Sequence, residues 1–297
     1  MTAFLSALPG AAAQGLIWGL MALGVYLTFR VLDVADLTVD GTLATGGAVA
    51  VVLIRSGVPS VLAVLAAVVA GLLCGLVTAL LHTKGGIPAI LAGILTQLAL
   101  YSVNLRVMGG KANLAVSVDK YGLLLSQRYV RSPGLTNPLW LLIGLAAALI
   151  AALYFYFGTE QGSAIRATGA NPAMSRAQGI NTDRMILLGL MLSNALVALS
   201  GALLAQYQGF ADVNLGRGAI VIGLAAVIIG EKLFRLFHNF ALKMTAVIFG
   251  AIIYYAVLQA VLMLGLNTND LKLLTAAMVA LFLALPKVAK LKGGRHA

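Results

Sequence analysis

The chain has 297 residues, of which 61% are hydrophobic and only 10% charged, and its formal net charge is +11. A soluble domain carries roughly 25% charged residues, so this chain cannot cover a water-exposed surface, and a large soluble domain is excluded. Its basic residues are scattered through short polar gaps instead of gathering on one face, which argues against a nucleic-acid partner and for membrane topology.

Apolar runs of about 20 residues, enough to cross a bilayer as a helix, follow one another from end to end. The predicted fold is all-α: a polytopic helical bundle forming one transmembrane domain over residues 1–297. Nine spans are predicted, with eight to ten compatible with the pattern: 11–29, 40–54, 60–81, 87–105, 138–157, 184–206, 219–234, 240–265 and 271–286. The second and seventh are short enough to be tilted, broken or partly re-entrant. Ahead of the first span, MTAFLSALPGAAAQ has no basic residue and does not read as a cleaved signal peptide. The single cysteine, Cys74, falls in the third span, where it reads as a packing residue.

The tail KVAKLKGGRHA carries Lys287, Lys290, Lys292 and Arg295, which places it in the cytoplasm by the positive-inside rule. Counting back through nine spans puts the N-terminus outside. Twelve basic residues then lie inside and eight outside, five of the eight in the loop 106–137.

The chain contains no phosphate-binding loop, no HExxH and no Gly-x-Ser-x-Gly. Its three histidines are too scattered for a metal site. Eight of nine acidic residues fall at span ends or in loops, and Asp40 alone is placed to be drawn into the membrane. Ion-coupled carriers keep ionisable relays inside their helices. Uphill transport by this chain would therefore need energy from another polypeptide.

Between the fifth and sixth spans lies AIRATGANPAMSRAQGIN. Asn171-Pro172 is a helix start, with Asn capping free N–H groups and Pro fitting the first helical position. Gly179 is a stop, so a helix of about two turns is predicted over Pro172–Gln178, too short to be stable alone. Asn181 or Thr182 caps the next span. One reading is an interfacial turn whose arginines obey the charge rule. Only Met174 offers lipid a large apolar group, so a knob entering a groove on another protein fits better.

The run Gly162-Ser-Ala-Ile-Arg166-Ala-Thr-Gly169-Ala-Asn171-Pro172, continuing to Gly179-Ile180, resembles the cytoplasmic coupling loop of ABC importer permeases of the branched-chain amino acid, ribose and nucleoside class. Asp36-Leu-Thr-Val-Asp40-Gly41-Thr42 resembles a second motif of that family. VLDVADLTVDGT together with LHTKGGIPAILAGILTQLALYSVNLRVMG is most similar to an amino acid import subfamily that includes tryptophan-type systems. The resemblance covers essentially the whole chain. The family often has acids and leucines in the coupling helix where this chain has Ala170, Ala173, Ala177 and Gln178.

The resemblance implies a multi-pass permease of the bacterial inner membrane, forming half of a pathway for a small polar solute, an amino acid or related compound. It implies separate ATPase subunits holding ATP and Mg, with no cofactor in this chain, and an extracytoplasmic solute-binding protein. A second permease copy, as homodimer or heterodimer, completes the pathway. The loop 160–183 is then the coupling loop, with Arg166, Gly169, Asn171, Pro172, Met174, Ser175, Arg176, Gln178 and Gly179 as its ATPase-coupling residues. Candidate pathway residues are Asp36, Thr38 and Asp40 in the DLTVDG strip, whose alternative is a simple loop. Gln97, Tyr101 and Asn104 share one helix face, and with Asn194 they have the alternative role of hydrogen-bond glue between helices. The competing classes are a secondary transporter or channel working without an ATPase, and a structural or biogenesis subunit.

Lacking a phosphate loop, the purified chain should neither bind nor hydrolyse ATP; turnover proportional to its concentration in contaminant-free preparations would contradict this.

Overall fold

A computed structural model describes residues 2–131, 137–234, 239–263 and the helical residues 273, 275–277, 279 and 280. Most of the predicted span 271–286 and the basic tail lie outside the described residues. The other eight predicted spans coincide with helices α1 (Thr2–Tyr26), α2 (Val39–Arg55), α3 (Ser60–Thr83), α4 (Ala89–Val107), α5 (Pro138–Gly158), α8 (Thr182–Gln208), α9 (Ala219–Leu233) and α10 (Phe240–Met263). Between α5 and α8 come α6 (Glu160–Ala170) and α7 (Pro172–Ala177). Six helical segments among the described residues are long and apolar enough to cross a membrane: α3, α4, α5, α8, α10 and the stretch Ala7–Val31. The chain is an all-α polytopic membrane protein, its spans built from helices that pair their interior backbone groups within the segment, as a lipid environment demands.

Helix α8 is the spine, packed against α1, α2 and α3. Close approach comes from small residues. A Cβ added at Gly46 of α2 would strike the Ala198 backbone, one at Gly71 of α3 the Asn194 carbonyl, and one at Gly201 of α8 the Leu43 carbonyl. The spacing Gly71…Gly75 thus serves packing inside the chain, Gly75 meeting the Leu190 backbone. Side-chain hydroxyls add ties to α1: Ser193 donates to the Gly24 carbonyl at 2.8 Å and Ser200 to the Ile17 carbonyl at 2.7 Å.

Helices α2 and α9 have 17 and 15 residues, about 25 and 22 Å of rise against about 30 Å of hydrocarbon. They begin at the same height and run opposite ways. The first turn of α2 lies beside Asn194, near the midpoint of α8, and beside Gln97 and Leu100, near the midpoint of α4. The carboxylate of Asp40 accepts from Gly218 N at 2.9 Å and Ile220 N at 3.0 Å, so it caps α9 from a neighbouring helix. From that level α2 runs to Arg55, which donates to the Ala115 carbonyl at one end of the bundle. Helix α9 runs to Glu231, paired with Arg30 at the other.

The connection 106–137, read from sequence as a loop, is partly ordered by pairing. Strands β1 (Asn113–Ala115) and β2 (Phe210–Asp212) are antiparallel, Leu114 opposite Ala211. They cover a small second core that includes Ala48, Val51, Met108, Val116 and Ala205.

Gly46→Val should force α2 off α8, an overpacking of about 1–3 kcal/mol, and lower the unfolding midpoint in detergent by several degrees. Gly144→Ala, with open space at its Cβ, should leave it unchanged; equal midpoints for both variants would refute this packing account.

Candidate functional site

The strip between α1 and α2 is built to enter the bundle. Helix α1 ends in a π-helical turn, Leu27–Val31, and Asp33 takes a left-handed conformation at φ 55°. The chain then passes inward to Asp36, 2% exposed. One carboxylate oxygen of Asp36 accepts from Thr38 N at 2.9 Å, an Asx turn that starts α2. The other accepts from the Asn194 amide at 2.7 Å, while Asn194 Oδ1 accepts from the Thr42 hydroxyl at 2.6 Å. The hydroxyls of Thr38, Thr78 and Thr96 stand in series at 2.7 and 3.0 Å, joining α2 to α3 and α4.

Four other residues singled out in the sequence face a separate space. Asp40, Gln97, Tyr101 and Asn104 line a cavity of about 330 Å³ together with Leu98 and Arg217. It opens on the α4 face, where Leu98 is 65% and Tyr101 44% exposed. The expected face of Gln97, Tyr101 and Asn104 is therefore assembled, and Asp40 joins it. Asp36, Thr38 and Asn194 do not. They are enclosed by α2, α3, α4 and α8, and their visible work is to hold helices together. Sequence reasoning misses Arg217, because there it counts as one more loop cation; Gly216 and Gly218 on either side are its signal, marking a tight turn. A Cβ at Gly216 would strike the Asp40 carbonyl, so this turn sits directly against α2.

The stretch Ala164–Asn181 folds at the end of the bundle where Arg30 meets Glu231. Asn171 caps α7, its side chain accepting from Met174 N at 3.0 Å. Gly179 takes φ 82° and Ile180 N donates to the Ser175 carbonyl at 3.0 Å, closing the helix as expected. Asn181 caps α8 through Arg184 N at 3.1 Å. Ser175 is buried and donates to the Asn171 carbonyl. Pro172, Met174, Arg176, Gln178 and Gly179 are exposed, Met174 by 62%, and Arg176 Nε donates to the Thr182 hydroxyl at 2.7 Å.

Helix α6 is absent from the sequence-based expectation, although Thr159, which accepts from Gly162 N at 3.3 Å, and first-turn Glu160 form a recognisable start. Arg166 of α6 donates to the Phe157 carbonyl at 2.8 Å and stacks over Phe240. Gly169 lies so close to Val31 and Leu32 that any side chain would collide with their backbone.

Two shortened helices meeting at a polar cavity, with a fenced short helix at one end of the bundle, fit a membrane transport subunit. The family described as branched-chain amino acid transport system / permease component matches residues 8–285. The chain belongs to that family: it is the permease subunit of an ABC importer, a class that works with ATPase and binding-protein partners. The tyrosine transport system permease protein of Clostridioides difficile (strain R20291) is 38% identical over 280 residues, covering 94% of this chain and 91% of that protein. The ribose import permease protein RbsC of Escherichia coli (strain K12) is 28% identical over 214 residues, 71% of this chain and 64% of that one. Among solved structures, PsaBC from Streptococcus pneumoniae in complex with Fab shares the fold, with a TM-score of 0.52 and 19% identity over 94% of this chain and 90% of that one.

The buried network makes a quantitative expectation. Thr42→Val and Asn194→Leu each break the same bond, so their effects on the unfolding midpoint in detergent should be non-additive by about 0.5–2 kcal/mol. Additive effects would mean that the Thr42–Asn194 bond contributes nothing to holding α2 on α8.

Proposed function

We propose that two copies of this chain enclose a pathway across the bacterial inner membrane for an amino acid, with an aromatic one such as tyrosine as the first candidate. The solute arrives from an extracytoplasmic binding protein. Each copy spans the membrane nine times, N-terminus outside, as a single domain. Separate ATPase subunits hold ATP and Mg and hydrolyse it; the permease itself needs no cofactor. The amino acid assignment is supported by the 38% identity to a tyrosine permease over nearly the full length of both proteins. Asp40, Gln97, Tyr101 and Asn104 border the pathway, while Asp36, Thr38 and Asn194 support its wall.

Residues 160–183 form the coupling loop facing the cytoplasm. The observation that carries this reading is α7 itself: capped by Asn171, stopped by Gly179 and presenting Met174 to solvent, it is a rigid knob. It is tied back to the bundle by the Arg176–Thr182 bond and by α6, whose Gly169 rests on the end of α1. A push on the knob must therefore move span ends, and a bistable pore needs only a small displacement to switch.

Met174→Asp or Arg176→Asp should block docking by placing a charge that the ATPase groove was not shaped to desolvate. The test is ATPase co-purification alongside transport and ATP hydrolysis in reconstituted complexes. Asn171→Ala should loosen the cap by about 1 kcal/mol and weaken coupling more than assembly. If the Asp variants hold the ATPase and transport at the unmodified rate, the segment is only a charged turn.

A further inference from the structure

The cavity beside Asp40 has unfinished bonding. Asn104 is 1% exposed. Its amide nitrogen is within reach of the Gly41 carbonyl at 3.4 Å, which fixes the assignment of the two amide atoms, since a carbonyl cannot serve an oxygen. Its Oδ1 then has no donor among the described residues. A buried acceptor without a partner is uncommon and calls for an explanation. On another wall stands Arg217, which makes no ion pair among the described residues and also borders the neighbouring cavity near Tyr254. Asp40 supplies the third element. Its carboxylate serves two backbone N–H groups of the α9 turn, yet a carboxylate has about four lone-pair sites.

The charges decide what fits. One carboxylate and one guanidinium make the lining electrically neutral as a whole. A solute with a single charge would leave one wall group without a counter-charge. A zwitterion leaves none. From these observations, and resting on the proposal that the chain imports an amino acid, we infer that this cavity is a transit binding site for a neutral-side-chain α-amino acid, its carboxylate held by Arg217 and its ammonium by Asn104 Oδ1 and Asp40. Arg217 suits the first role because its planar fork matches a carboxylate bidentately. Leu98 and Tyr101, apolar and aromatic at the mouth, lie where the side chain of the solute would rest. The volume of about 330 Å³ falls in the range of small-ligand pockets. None of these three polar groups is engaged elsewhere so fully that it would have to release a partner. Asp36, by contrast, has both oxygens committed inside the bundle.

The experiment uses the full complex in proteoliposomes. In one arm, Leu98→Cys is introduced at the cavity mouth in a Cys74→Ala background and labelled with a thiol reagent. L-tyrosine should slow labelling, while tyramine, without the carboxylate, and 4-hydroxyphenylpropionate, without the ammonium, should not. Adding Arg217→Gln should abolish protection and Arg217→Lys should restore part of it. In the second arm, import by Arg217→Gln and Asn104→Leu should show KM for L-tyrosine raised about ten-fold or more, the loss of a charge-assisted or buried hydrogen bond. No protection by L-tyrosine, equal protection by all three compounds, or an unaltered KM in Arg217→Gln would overturn the site while leaving amino acid import standing. Selective protection in a complex that imports no amino acid would do the reverse, sustaining the site and ending the functional reading.

Discussion

The carboxylate of Asp40, set against the N-terminus of α9, is the interaction on which the interior depends. A helix that starts partway along a membrane bundle exposes unpaired N–H groups, and each is expensive to leave without an acceptor. Asp40 supplies the acceptor from α2, and its charge sits at the favourable end of the α9 dipole. One residue thereby joins two shortened helices at a shared level. It also carries its own negative charge to mid-height, where Arg217, on the turn that delivers α9, lies across the same cavity. The polar character of the cavity comes from the need to terminate helices there.

The second broken strip is solved differently. Asp36 starts α2 with its own side chain and is then held by Asn194, which is held by Thr42. Glycines let these helices come close enough for such short bonds: Gly46, Gly71 and Gly201 each face backbone across the α8 contacts. Close backbone packing without large side chains gives an interior with few intermediate positions, so it changes by discrete steps more readily than by gradual flexing. Asp36 and Asp40, four residues apart, thus do opposite work. One closes a wall and the other opens onto a cavity.

Much of this is legible in the chain. The lengths of the second and seventh apolar runs already mark them as short enough to be tilted, broken or partly re-entrant, and DLTVDG, with two acids entering an apolar run, resembles a break. The caps at Asn171, Gly179 and Asn181 are readable because capping is a local interaction between a side chain and backbone two or three residues away. Which side of α2 each polar residue faces is not readable. That depends on how α4 and α8 lie against it, so Asp36 and Asp40 look alike in sequence. Arg217 is hidden for the same reason: its charge reads as a loop cation until Asp40 is seen beside the turn. Strands of three residues, β1 and β2, carry too little periodicity to announce themselves.

The two ends of this design are mechanically continuous. Gly169 of α6 lies on the Val31 and Leu32 backbone, and Gly189 of α8 packs on the Leu32 side chain. Leu32 N and Val34 N bond back to Leu27 and Thr28, so the π-helical turn is locked to the residues just beyond it. Only a short distance further along the chain, Asp36 is clamped by Asn194 at mid-height. The strip 32–36 is therefore short and bonded at both ends. Both its ends are bonded and its middle holds a left-handed residue, Asp33, that resists further adjustment. The Asp36–Asn194 bond and the Asp40 cap join this strip, α8, α2 and the start of α9 into one bonded set. For the coupling proposed above, two connections lead from the α6–α7 end to mid-height: the strip that links α1 to α2, and α8 itself, which starts beside α7 and carries Asn194.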